Sequence, residues 1–172
     1  MTMFKIAFDR VFHNEGGFQN DPNDRGNWTS GAIGEGELKG TKYGISAMSY
    51  PNIDIENMTF EDAQEIYRVD WWQRLRMDSF PTVLQYQIFD AAINHGMRNA
   101  IIILQRAIGA NADGVIGPRT RLMVSKLETN DLALSFIAER LVFITNIRTW
   151  DRYGKGWARR IAHNLKMAAI DN

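Results

Sequence analysis

The chain has 172 residues, 20 of them basic and 20 acidic, and no cysteine. That length fits one domain, or one domain with a small appended subdomain, and buries roughly 70% of its unfolded surface, so no disulfide or metal is needed to hold a core. The missing cysteines exclude disulfides, catalytic thiols and zinc sites built on thiolates, and the balanced charge gives no reason to expect nucleic acid as a partner.

The opening stretch, MTMFKIAFDRVFHNEGG, does not read as a secretory signal, because Asp9 and Arg10 interrupt it and no apolar region precedes a small-residue cleavage site. A first helix is predicted from Thr2 to Asn14, with Phe4, Phe8, Val11 and Phe12 on one apolar stripe. Gly16-Gly17 should end it. From residue 16 to about 50 the chain holds eight glycines and little periodicity. The apolar residues Phe18, Trp28, Ile33, Leu38, Tyr43 and Ile45 favour an ordered loop with a short β-hairpin over disorder.

Helices then dominate. Thr59 is placed to cap one, with Asp62 as its capping-box partner, and Ala63, Ile66, Tyr67 and Trp71 form its inner face. A helix after Pro81 carries Leu84, Ile88, Ala91 and Ala92 and stops near Gly96. The next spans about Arg98 to Ile108. After turns at Asp113-Gly114 and Gly117-Pro118, a helix starts at Pro118, a residue suited to the first helical turn. Two more follow, about 131 to 149 and 156 to 169, the last with Trp157, Ile161, Leu165 and Ala168 inward. The prediction is a mainly α protein of about seven helices, with a Gly-rich loop or small β-hairpin after the first. The longest purely apolar run, Ala100 to Leu104, is far short of a membrane span, so stable membrane insertion is not expected. The basic residues Arg148, Arg152, Lys155, Arg159, Arg160 and Lys166 read as a solvated helix face, or as a patch that holds the protein near an anionic envelope.

Chemistry concentrates near the first helix. Glu15 stands at its C-terminal end, where the helix dipole disfavours an ionised carboxylate, and burial beside Phe18 or Trp28 acts the same way. Both effects suit a general acid working near neutral pH. The adjacent glycines let a polymer approach closely. Glycoside cleavage needs a second group opposite the acid, and Asp24 is the best placed, ahead of Asp21. The Thr41 hydroxyl can orient a water. The bland alternatives are a polar helix end for Glu15 and turn caps for Asp21 and Asp24.

Glu15-Gly16-Gly17-Phe18, Asn20-Asp21-Pro22, Asp24-Arg25-Gly26 and Thr41-Lys42-Tyr43-Gly44-Ile45-Ser46 together resemble the signature of glycoside hydrolase family 108. Downstream, Phe89 to Gly96, Ala100 to Gly109, Asp113 to Thr120 and Gly156 to Ile161 resemble the peptidoglycan-binding segment that accompanies it. The resemblance implies a lysozyme-like fold and an N-acetylmuramidase of the bacteriophage endolysin type. Such an enzyme cleaves the β-1,4 bond between N-acetylmuramic acid and N-acetylglucosamine. It implies catalytic roles for Glu15, Asp24 and Thr41 and substrate-binding roles for Tyr43, Asp90 and Asn94, the last two on one helix face. It also implies a catalytic part over residues 1–80 and a helical peptidoglycan-binding segment over 81–172, packed as one unit. In one respect the chain departs from the family pattern. The stretch Asn27 to Gly40 intervenes before Thr41, so Glu35 or Glu37 competes with Asp24 as the second group.

No cofactor or metal is expected. His13, His95 and His163 lack metalloprotease spacing, and the loop from Asp21 puts Arg25 and Ala32 where calcium ligands belong. Peptidoglycan is the expected partner and a monomer the expected state. The expected location is synthesis in the host cytoplasm and action in the periplasm, reached through a holin. The competing readings are a non-catalytic peptidoglycan-binding module, a metal-dependent amidase on the same polymer, and a bacterial muramidase that assists secretion.

Overall fold

The structure, a computed structural model, describes residues 2–12 and 17–172. Its residues cluster into a loop unit, Phe8–Asp70, and a helical unit, Met1–Ala7 with Trp71–Asn172. The geometric boundaries fall at 7/8 and 70/71, where sequence placed a functional division near 80.

The elements among the described residues are α1 (Met3–Phe12), β1 (Thr41–Lys42), β2 (Ile45–Ser46), α2 (Phe60–Tyr67), α3 (Thr82–His95), α4 (Met97–Ala107), α5 (Pro118–Val124), α6 (Thr129–Thr145) and α7 (Trp150–Ile170). The protein is mainly α, as expected. The expected continuation of the first helix to Asn14 and its stop at Gly16 lie outside the described residues.

The loop unit has an aromatic core. Phe8 packs against Phe12, Phe60 and Tyr67 at centroid distances of 4.7, 5.1 and 5.8 Å. Each such ring pair adds about 0.5–1.5 kcal/mol beyond its burial. Thr59 and Asp62 form the expected capping box, with Asp62 N donating to Thr59 Oγ1 (3.1 Å) and Thr59 N to Asp62 Oδ2 (2.9 Å). After α2 the helix continues as a π-turn over Arg68–Gln73. The wider turn advances the inward position by one residue. Trp72 is therefore buried, and Trp71, expected inward, is half-buried.

The helical unit is organised around α3, whose residues Val83 to Ala92 are all buried. A helix buried on every side belongs at the centre of a bundle, and α4, α6 and α7 pack on α3. Gly96 ends α3 at a φ of 82° and lets α4 start at once. Pro118 opens α5 as expected.

Helix α7 begins six residues earlier than the sequence suggested. The glycines at 154 and 156 argue against helix, but Trp150 lies so close over Gly154 that a Cβ there would meet its indole at 2.7 Å. The buried line of α7 includes Ile161, Asn164 and Ala168, while Leu165, expected inward, is 42% exposed. Asn164 holds the inner position because its amide donates to Gln87 Oε1 (3.0 Å) and Asp90 Oδ2 (3.1 Å).

Candidate active site

The glycine-rich segment of the loop unit folds around one fully buried amide, Asn27. Its Nδ2 donates to Gln19 Oε1 (2.8 Å) and to the Asp21 carbonyl (2.9 Å). Its Oδ1 accepts from Gln19 Nε2 (3.0 Å) and from Thr41 Oγ1 (2.8 Å). Its backbone carbonyl accepts from the amides of Lys39 and Gly40 at 3.0 and 3.1 Å. Every polar atom of the side chain is thereby engaged, as burial requires. Gln19 and Thr41 are also joined through the backbone, each amide donating to the other's carbonyl at 2.9 and 2.8 Å.

Asp24 stands at the rim of this network. It caps the short 3-10 turn Arg25–Asn27, and its Oδ1 accepts from Gly26 N at 2.8 Å. Its Oδ2 accepts a long bond, 3.4 Å, from the same Gln19 Nε2 that reaches Asn27. Asp24, Gln19, Asn27 and Thr41 thus form one connected chain. The carboxylate stays exposed and the Thr41 hydroxyl half-buried. Since the hydroxyl donates to Asn27, its lone pairs remain to accept from a water. The structure brings Asp24 and Thr41 into one network, and Gln19 and Asn27, which sequence reasoning missed, are the links. Neutral amides in a segment without periodicity carry no signal that sets them apart from turn residues.

The stretch between Asn27 and Gly40 is an ordered excursion. Trp28 and Leu38 pair as an antiparallel bridge. Thr29 N donates to the Glu37 carbonyl (3.0 Å), and Glu37 N to Thr29 Oγ1 (2.9 Å). The excursion closes at its own base, so Thr41 arrives beside Asn27 despite the added residues. Of the other carboxylates, Asp21 accepts from Asn23 N (2.9 Å) and Asn23 Nδ2 (3.0 Å), a turn cap. Glu37 pairs with Lys39 Nζ at 3.1 Å. Glu35 is exposed on the excursion.

Thr41 and Tyr43 are aimed by a tight hairpin. Lys42 pairs with Ile45 across the two-residue loop Tyr43-Gly44, at φ of 50° and 74°. Positive φ at both positions is the turn whose twist matches paired strands. Tyr43 tolerates it with its ring held edge-on to Phe60 (5.4 Å) and its carbonyl accepting from Tyr67 Oη (3.2 Å). The residue is half-buried, which leaves area for a sugar ring. At Gly40 (φ 81°) a Cβ would fall 2.5 Å from the Gln19 carbonyl oxygen, so only glycine allows the bridge beside Thr41.

Asp90, expected to bind substrate, is fully buried in the helical unit. Its carboxylate pairs with Arg140 Nη1 (2.6 Å) and Arg160 Nη2 (2.7 Å) and accepts from Asn164. Burial pushes its pKa up, but the two guanidiniums outweigh burial and hold it below the ordinary carboxylate value. A sugar finds no accessible atom on it. Asn94 is exposed and its amide donates to the Asp90 carbonyl (2.7 Å). His95 accepts from Arg140 Nε (3.1 Å), and burial, reinforced by Arg140, lowers its pKa from 6.5 to about 4. Trp72 is core, and Trp150 packs on its own helix. Glu15 lies outside the described residues.

A family model described as Glycosyl hydrolase 108 matches residues 8–96. Among solved structures, that of SagA from Brucella abortus is 27% identical. The match covers 97% of this chain and 94% of that one, with a TM-score of 0.78. No curated protein matches.

Proposed function

The chain belongs to the glycosyl hydrolase 108 family, a lysozyme-like peptidoglycan hydrolase, and from that premise we propose that it cleaves the β-1,4 bond between N-acetylmuramic acid and N-acetylglucosamine with Glu15 as general acid. The observation that carries the reading is the connected set Asp24–Gln19–Asn27–Thr41, which lies inside the matched stretch. It holds one open carboxylate and one water-accepting hydroxyl on a fixed frame.

In this mechanism Glu15 protonates the leaving glycosidic oxygen. Asp24 faces the positive charge that develops on the sugar ring and takes the proton of the attacking water. Thr41 Oγ1 accepts from that water, and Asn27 keeps the hydroxyl from rotating away. Tyr43 stacks on a sugar. Asp24 is the preferred second group because its carboxylate, unlike those of Asp21, Glu35 and Glu37, is joined through Gln19 and Asn27 to the Thr41 hydroxyl. The helical unit supplies the wall-binding function. Peptidoglycan is the sole partner, no cofactor enters, and the monomer acts in the periplasm after release through a pore such as a holin.

The test is mass spectrometry of purified peptidoglycan digested by wild type and by Glu15→Gln, with reducing ends labelled. New ends on N-acetylmuramic acid from wild type alone are expected. Ends on N-acetylglucosamine, or undiminished cleavage by the variant, overturn the bond or the acid respectively.

A further inference from the structure

The helical unit contains a cavity of about 680 Å³ that the hydrolysis reading leaves unused. Four arginines line it, Arg74, Arg76, Arg98 and Arg121, and among the described residues no aspartate or glutamate does. Apolar side chains complete the wall, among them Val115, 65% exposed.

Two of the arginines are fixed in place. Arg121 donates to Ser79 Oγ and to the Leu75 carbonyl (3.3 Å), and its guanidinium lies over the Phe80 ring at 5.2 Å. Burial, and then the neighbouring charge of Arg76, lower its pKa. Arg98 is pressed against Gly114, where a Cβ would fall 2.7 Å from its Cγ.

The carboxylate beside Arg98 is that of Asp113. It is turned to Gln105 Nε2 (2.7 Å) and Val115 N (2.8 Å), where it shapes the loop. Arg74 and Arg76 are exposed, and no described carboxylate pairs with either. Arg76 also adopts a φ of 50°, a conformation arginine seldom holds.

Guanidiniums around an apolar-walled hollow suit planar carboxylates carried on short aliphatic stems. A polyanion tracked along its backbone needs a basic field, and this chain has net charge zero. We propose that this cavity binds a carboxylate-bearing peptide, with Arg74, Arg76 and Arg121 on the carboxylates and Val115 against the aliphatic part. The peptide stems of peptidoglycan are its source. That source rests on the proposed function, whereas the arginine geometry does not.

The test is calorimetric titration of the full chain with three probes: a synthetic γ-glutamyl peptide with free carboxylates, its fully amidated counterpart, and inorganic phosphate. Saturable binding of the acidic peptide is expected, at least about tenfold tighter than of the other two. In Arg74→Gln/Arg76→Gln, which alters neither anchored arginine, the acidic peptide should bind at least about tenfold more weakly. Equal binding of the amidated peptide, equal or tighter binding of phosphate, no saturable binding, or unchanged affinity in the variant overturns the inference. The comparison among probes uses wild type alone, so it decides even where the variant is poorly folded. Failure here with muramidase products intact removes only the cavity's role. Peptide binding that persists when no glycan product forms removes only the bond assignment.

Discussion

Asp24 and Asp90 each belong to a polar network, one in the loop unit and one in the helical unit, and they are built in opposite ways. Asp24 sits on an exposed turn in the loop unit, held by one backbone amide and one long contact to a glutamine. Asp90 sits in the middle of α3, held by two arginines and an asparagine, with nothing exposed. The first arrangement leaves a charge open to solvent and fixes its direction with neutral neighbours. The second closes a charge in and fixes the neighbours with it. A carboxylate that reacts must keep an unused lone pair, and one that holds helices together must not.

The largest effect should come from Asp90→Asn. Removing one partner of a buried pair strands the others, and destabilisation of about 3–5 kcal/mol is expected in thermal or denaturant unfolding. Loss below about 1 kcal/mol would break the contrast, because Asp90 would then not be holding the helices. Asp24→Asn should do the reverse. Asparagine caps a turn nearly as well as aspartate, so stability should change by under about 0.5 kcal/mol. Hydrolysis should fall about a hundredfold or more, read as reducing ends released per unit time. Retained activity would move the second catalytic role to another carboxylate, with Glu35 the next to substitute.

Asn27→Ala sharpens the comparison from the neutral side. It leaves Gln19 and Thr41 without their buried partner, at about 1–3 kcal/mol of stability. Activity should fall as well, since Thr41 loses the bond that orients it. A further effect is one of pH. The pKa of His95 lies at about 4 in the fold against 6.5 ordinarily, so between those values the unfolded chain binds a proton that the folded chain does not. Stability should therefore decline as the solution is acidified from pH 6.5 towards 4. The depressed pKa of Asp90 adds a loss in the same direction below the ordinary carboxylate range, as pH falls through its folded value. His95→Gln keeps an acceptor for Arg140 and should flatten the upper part of this slope, measured as melting temperature against pH.

Much of the molecule was legible in one dimension. The helices announced themselves because a 3.6-residue period needs only near neighbours, and the Thr59 capping box and Pro118 start are local chemistry. The motif residues Asp24, Thr41 and Tyr43 were legible by family likeness, and the structure adds what holds them. Three features were decided only by tertiary structure. Asp90 looked like an exposed ligand on a helix face because its partners Arg140 and Arg160 lie 50 and 70 residues further along the chain. Asn27 and Gln19 carried no signal because a buried amide is distinguished from a turn amide only by what surrounds it. The excursion before Thr41 looked like a break in the catalytic pattern until its base closed through the Trp28–Leu38 bridge. Local interactions set which segments are helices and where they start. Burial and pairing over long separations determine which polar residues stay open for chemistry, and a sequence read by neighbours does not contain those distances.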